Sequence, residues 1–404
     1  MLSGSTPHPP ITAGWPQTRL GHGRALWLKA SLLVSFLAAS TAPSPLYALY
    51  RDAWGFSALT LTVIFASYAF ALLGALLVFG RLSDHLGRRD VVLGALVLEF
   101  AATLLFWRAD SVAWLLSARV LQGIATGIAT GALSAGLLDL HRERGPLVNG
   151  VAPMVGMAAG AFGTSLLVQF GPEPTRLVFD LLMLVFALQI AAALYLPETV
   201  ARRPGAWRSL RPQLAIPARA RAMLWQVLPV NTAQWALAGF YLSLGPTLAR
   251  IVTGSDAPMV GGLLITATVL SSAITLLAVR AWPAHRALAL GATALTLGLA
   301  LSLAGILLPS TAAFFVGAAV TGLGFGSAFS GSLRSLASLA EAHERAALMA
   351  SFYVLSYLAF SVPAIGSGLS AGLFGLRATA LGMGALLALM AATALMMMMR
   401  RRAG

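Results

Sequence analysis

Two charged side chains stand apart from the rest of this 404-residue chain: Glu99, in VVLGALVLEFAATLLFW (91–107), and Arg119, in the apolar run that follows. Each lies nine residues from the short polar connection Arg108–Asp110. At 1.5 Å per helical residue, both sit ~13 Å below the same surface. A charge near the centre of a bilayer costs at least ~2.5–3.5 kcal/mol, so an acid and a base at one depth read as partners. Two chemistries fit the pair: a static ion pair that fixes helix packing, or a carboxyl that takes up and releases a proton as its surroundings change. Asp180, four residues into a later apolar run, is a further candidate for proton exchange; it and Asp139 can each reach an interface by a small shift. Metal and nucleophile chemistry find no support. The chain has no cysteine, and His8, His22, His85, His141, His285 and His343 all fall in the N-terminal tail or in polar connections. No metal site, histidine-based nucleophile or cofactor is therefore expected. Lys29 is the only lysine and no Gly-x-x-x-x-Gly-Lys loop is present, which argues against an ATP-driven pump.

Uncharged polar and aromatic residues trace a second pattern. In SLLVSFLAASTAPSPLYALY (31–50), Pro43 and Pro45 remove backbone donors and break the helix, while Ser40, Thr41 and Ser44 stand ready for the freed carbonyls and Tyr47 follows. Gln122 and Thr126 lie one and two turns beyond Arg119. Asn231, Gln234, Trp235 and Tyr241 share a later run, and Phe325 and Ser327 another. Broken helices at membrane depth line protein-enclosed or wet cavities. As a set these residues read as the lining of an amphipathic, mostly uncharged pocket for a small molecule.

The elements that must position them are membrane spans. Hydrophobic residues make up 58% of the chain and charged residues 10%, a membrane composition. Twelve runs are long enough to cross the ~30 Å hydrocarbon layer as helices. They divide the chain into a tail (1–26), six spans (27–199), a linker (200–222), six more spans (223–399) and a short tail (400–404). AAS and TAP in the first run look like leader cleavage sites, yet its length and the eleven runs that follow favour a retained span. Of the 27 basic residues, 21 fall on the side shared by both termini and the linker, 5 on the other, and Arg119 lies within a span. The positive-inside rule then places the termini and linker in the cytoplasm, here the cytoplasmic side of a bacterial inner membrane. It also accounts for the net charge of +14 without nucleic acid. A shift of 199 residues lays Gly123 on Gly322, Gly127 on Gly326 and Arg81 on Arg280, the mark of an internal duplication.

The connection GRLSDHLGRRD (80–90) places Gly80, Leu82, Asp84, Gly87, Arg88 and Arg89 between the second and third spans. Together with RVLQG (119–123), PET (197–199) and the long middle connection, it resembles the signature loop of the major facilitator superfamily, Gly-x-Leu-x-Asp-x-x-Gly-Arg-Arg. The resemblance covers the chain from about residue 27. It implies an all-α membrane fold of twelve transmembrane helices in two pseudo-symmetric six-helix bundles, with spans one, four, seven and ten along a central path. It also implies that Arg119 is the span-four arginine associated with proton coupling. The loop, through Gly80, Asp84, Gly87, Arg88 and Arg89, would latch against the start of span eleven near Ala346 and Ala347, closing the cytoplasmic side. The second-half loop RAWPAHR (280–286) lacks the acid and the glycines, so the latch would be one-sided. Glycines at four-residue spacing (Gly123, Gly127, Gly131; Gly322, Gly326) mark close helix packing rather than a nucleotide loop. Span five carries GMAAGAFGTS (156–165), with Ala161 where drug:proton antiporters of the family have a proline in Gly-Pro-x-x-Gly-Gly. The expectation is a monomeric secondary transporter and not an enzyme. It exports small organic or amphipathic compounds against protons, with the lipid bilayer as its other partner; proton-coupled uptake, or facilitation without ion coupling, is the alternative.

Overall fold

The computed structural model describes residues 20–341 and 343–403, so most of the expected 1–26 tail lies outside the described residues. Among the described residues every regular element is a helix. The first half runs α1 (His22–Thr41), α2 (Pro43–Trp54), α3 (Ala58–Phe79), the single turn α4 (Ser83–Leu86), α5 (Arg88–Trp107), α6 (Val112–Leu140), α7 (Arg144–Phe170) and α8 (Pro174–Ala193). The linker holds α9 (Ala206–Ser209). The second half runs α10 (Ala218–Ser243), α11 (Gly245–Thr253), α12 (Pro258–Ala278), α13 (Ala284–Leu307), α14 (Thr311–Ala337), α15 (Arg345–Phe374) and α16 (Leu376–Ala403).

Counting α1 with α2 and α10 with α11 as broken spans gives twelve crossings, the second pair bent by 72°. Helices outrun the hydropathy pattern at their polar ends. The first starts at His22 rather than 27, α10 begins inside the expected 200–222 linker, and α16 continues through Ala403, across most of the expected tail. The first and last turns of a helix can extend past the lipid into polar sequence.

Prolines make the breaks. Pro43 has no N–H for the carbonyl of Ala39, so α1 closes with Ala42 donating to Ala38 (2.9 Å) and α2 sets off at a new angle. Pro246 sits at the start of α11 in the same way. The 199-residue shift holds along both halves: it lays Val112 on Thr311 and brings Ala58 next to Pro258 and Arg144 within two residues of Arg345. Pairs α5–α6 and α13–α14 are accordingly repeats of one unit.

Small residues set how close the helices come. Gly123 and Gly127 of α6 lie against α3, and Gly156 and Gly160 of α7 against α1. The halves meet through α3 with α15 and α7 with α12, where Phe65 and Phe360 rings lie 5.1 Å apart. On the linker side, Arg219 of α10 reaches the turn before α15, bonding Glu341 (2.7 Å) and Glu344. The Glu341 N–H (3.2 Å), with Arg219 beside it, holds the Glu344 carboxyl below its usual range. That tie is intact above the carboxylate range and is lost as pH falls through it.

A Cβ added at Gly160 would lie 2.7 Å from the Ala38 carbonyl carbon, whereas one at Gly163 meets nothing within 4 Å. Gly160→Val is therefore expected to destabilise the protein by about 1–3 kcal/mol through overpacking, and Gly163→Val to stay within about 0.5 kcal/mol of the parent. Thermal unfolding in lipid nanodiscs checks the pair, and equal losses at the two sites would refute the packing argument.

Candidate functional site

A cavity of about 940 Å³ lies between the two halves. Its inner end is lined by Ser40, Thr41, Tyr68, Arg119, Trp235 and Phe360. From there it runs to Leu138, Glu143, Arg280 and Arg334 at the linker-side turns. Helices α1, α2, α6, α10 and α14 of the first, fourth, seventh and tenth spans contribute, with α3, α7, α12 and α15. On the opposite side the path is filled by apolar packing around Leu46, Tyr47, Tyr50, Leu61, Ile64 and Leu248. The protein is thus open toward the linker and closed away from it.

Glu99 and Arg119 are both 0% exposed, at the shared depth their spacing gave. They are linked, but not as an ion pair. Arg119 Nη1 donates to Gln122 Oε1 (2.8 Å) and to the Ser40 carbonyl (2.8 Å). Gln122 Nε2 donates to Glu99 Oε1 (3.1 Å) and to the Ala39 carbonyl (3.0 Å). The amide stands between acid and base as a bridge. The guanidinium is enclosed by the rings of Tyr68, Tyr47 and Phe65, with centroids 4.8, 5.7 and 5.8 Å away. Glu99 Oε2 and Arg119 Nε and Nη2 have no hydrogen-bond partner among the described residues.

The second half supplies an aromatic cage. Around Trp235 stand Tyr357, Phe325, Phe360 and Phe329, with centroids 5.2, 5.8, 5.9 and 6.2 Å away. Cavity-lining acids among the described residues are limited to Glu143 at the mouth.

Several residues singled out from sequence sit elsewhere. Asp180 is on the exposed outer face of α8, away from the cavity, because the apolar pattern of that helix did not fix its rotation. Asn231 and Gln234 are buried beside the cavity: Asn231 donates to Ser356 of α15 (2.9 Å) and Gln234 to Asn231 (3.1 Å), so they tie α10 to α15. Tyr241 and Phe325 line the wall, with Tyr241 bonded to Ser302 (3.3 Å). Thr126 lines it too, while Tyr47 and Gln122 lie behind it. Tyr68, Tyr357, Phe329 and Phe360 escaped the sequence reading; the run FYVLSYLAF (352–360) in span eleven carried the aromatic signal.

The loop at 80–90 also differs from expectation. Asp84 does not meet the start of α15; it pairs with Arg88, which also holds Asp139 (3.3 Å) and Ser83 (2.6 Å). With the cavity open on this side, the residues that would receive Asp84 belong to the opposite wall. Gly80 lies against α6 at Gly131, and Arg89 approaches Asp90 (3.2 Å). Gly87 has φ +100°, and a Cβ there would meet Glu198 Cδ at 3.0 Å. That space belongs to the Glu198 carboxylate, which accepts from the free N–H groups of Arg88 (2.8 Å) and Arg89 (3.1 Å) and so caps α5 from a distance.

Two repeated six-helix bundles around a central cavity open to one side are the architecture of a secondary transporter. The Major Facilitator Superfamily profile matches residues 30–301, two thirds of the chain. The chain belongs to that family and is a membrane transporter rather than an enzyme. It is 25% identical over 202 residues to the "Multidrug resistance protein MdtL" of Citrobacter koseri, covering 48% of this chain and 50% of that one. The MdtL of Salmonella typhi is 30% identical over 115 residues, 27% and 29% of the two chains. The chain thus spans about half the length of the first relative and under a third of the second. Among solved structures, the nucleoside transporter NupG superposes with a TM-score of 0.74 at 12% identity, over 93% of this chain and 99% of that one. A bacterial homolog of the human lysosomal transporter Spinster, inward-facing and unoccupied, gives 0.75 at 14% identity over 93% and 96%. At these identities the likeness is one of fold.

Glu198→Ala removes the remote cap of α5. Hydrogen exchange at the Arg88 and Arg89 amides is expected to quicken by roughly 2- to 30-fold, the range that loss of a cap costs. Unchanged exchange there would deny Glu198 that role.

Proposed function

We propose that this protein is a proton-coupled exporter that moves small organic or amphipathic compounds by alternating access. In this reading it works as a monomer in a bacterial cytoplasmic membrane, with the linker and both termini in the cytoplasm. The observation that carries the proposal is the line from Glu99 through Gln122 to Arg119, ending in the wall of a cavity of organic-molecule size.

A carboxylate at this depth must be met in every closed state, by a proton or by a cation. On the empty return, a proton on Glu99 meets it. On the loaded step, a compound entering between Tyr68 and the Trp235 cage presses the guanidinium off its ring faces and toward Glu99, and Arg119 meets it instead. One neutralisation per half-cycle, never both, is exchange.

Co-transport is the second reading, favoured by Arg280 and Arg334 at the mouth and by the two Arg119 nitrogens without hydrogen bonds. An anionic compound would hold Arg119 for itself and leave Glu99 to its proton, so the two would travel together.

Proteoliposomes with an imposed pH gradient test the proposal, using an amphipathic dye selected by thermal shift. Glu99→Gln is expected to abolish proton-driven flux while leaving dye binding and dye–dye exchange in place. Gradient-driven flux equal to the parent's would remove Glu99 from the coupling and leave a facilitator. Proton movement in the same direction as the dye would replace exchange by co-transport.

A further inference from the structure

We infer that Gln122 is a positioning residue that transmits the ionisation of Glu99 to the break in the first span, and so to the gate on the side away from the linker. The inference rests on the reading of Glu99 as the proton carrier and adds the route by which its charge moves the chain.

The argument begins with the backbone. In a helix the carbonyl of Ala39 receives the N–H of residue 43, which here is a proline and has none. A freed carbonyl at membrane depth needs another donor. Gln122 Nε2 supplies it at 3.0 Å. An amide has two N–H groups, and the second goes to Glu99 Oε1 at 3.1 Å. One nitrogen therefore holds both the carboxyl and the carbonyl that Pro43 leaves open. Gln122 is 2% exposed and its carbonyl is fixed by Arg119, so the amide has little freedom to serve one partner without the other.

The two bonds respond differently to a proton. A hydrogen bond to a carboxylate is charge-assisted and roughly twice as strong as one to a neutral group. When Glu99 is ionised the amide is drawn to it and holds Ala39 in its present orientation. When Glu99 is protonated that pull weakens, its O–H competes for an acceptor, and the Ala39 carbonyl loses a fixed donor. Ala39 is three residues before Ala42, the junction of α1 and α2. Beyond that junction α2 carries Leu46, Tyr47 and Tyr50 into the apolar plug that seals the side away from the linker. A change in the bend at Ala42 moves the plug. The second half has no equivalent, since the site that corresponds to Gln122 under the 199-residue shift is Thr321, whose hydroxyl bonds the Ala318 carbonyl of its own helix (2.7 Å).

The chain has no native cysteine, so spin labels can be placed without background. Asp52→Cys on α2 and Asp256→Cys after α11 are exposed and report the separation of the two halves at the sealed end. In nanodiscs, double electron–electron resonance is followed across pH while infrared difference spectra follow the Glu99 carboxyl band, assigned by its loss in Glu99→Gln. In the parent, the distance distribution shifts with that band. In Gln122→Met, which keeps the volume and removes both donors, the band still titrates but the pH-dependent shift in populations falls roughly tenfold or more, the equivalent of one hydrogen bond to a charged group. Pro43→Ala returns an N–H to the Ala39 carbonyl and is expected to blunt the same shift with Glu99 and Gln122 intact, which keeps the test open if Gln122→Met does not fold. A parent-sized shift in either variant overturns the relay alone. A parent band that does not titrate sinks the proton reading of Glu99, and the relay with it.

Discussion

Two charges buried at the same depth, Glu99 and Arg119, set the terms for the first half of the molecule. Both side chains are 0% exposed and neither pairs with the other, so each is met by dipoles held in place. Those dipoles are the Gln122 amide and the Ala39 and Ser40 carbonyls, which come from two different helices. The geometry closes only if α6 lies close to both α1 and α5. Glycines allow this elsewhere on the same faces: Gly123 and Gly127 admit α3, and Gly156 and Gly160 bring α7 onto α1. The proline break in α1 belongs to the same arrangement, because an intact helix would keep the Ala39 carbonyl for itself.

The two halves share one topology and divide the chemistry. Intramembrane charge, the capped loop at 80–90 and the Arg88–Asp139–Thr199 cluster all lie in the first half. The second half contributes rings and close glycine packing, with Gly291, Gly298 and Gly305 of α13 set directly against α14. Its corresponding loop is held differently. Arg334 turns back onto the carbonyls of Val279, Arg280 and Trp282, satisfying a helix end where the first half uses an ion cluster. The shared frame thus carries a buried acid and base in one half and the Trp235 ring cluster in the other.

The frame was legible in the sequence because it depends on quantities that a sequence carries: span length, proline position and an internal shift. The common depth of Glu99 and Arg119 was legible for the same reason, being a count along two helices from one turn. Rotation was not. Nearly uniform hydrophobicity around a membrane helix leaves no stripe to orient it, so Asp180 could be given a depth but not a face. Asn231 and Gln234 looked like lining and proved to be a tie to α15. Tyr68 and Phe360 were invisible as site residues because an aromatic ring in an apolar run has the same appearance whether it packs or lines a wall. Glu198 was visible within a motif, yet its partners are backbone N–H groups, which have no letter in a sequence.

The loop at 80–90 holds its charges unequally. Arg88 is only 9% exposed and is held by three groups: Asp84, Asp139 and Ser83. The Asp84 side chain is 48% exposed, and an ion pair that wet contributes little. Losing Asp84 therefore leaves Arg88 with Asp139 at 3.3 Å and Ser83 at 2.6 Å, so no buried charge is stranded. The cluster is lopsided: the cation is seated among more buried partners, and the Asp84 anion is the wet one. Glu198 caps α5 through the Arg88 and Arg89 N–H groups without involving Asp84, so the helix start does not depend on the exposed pair.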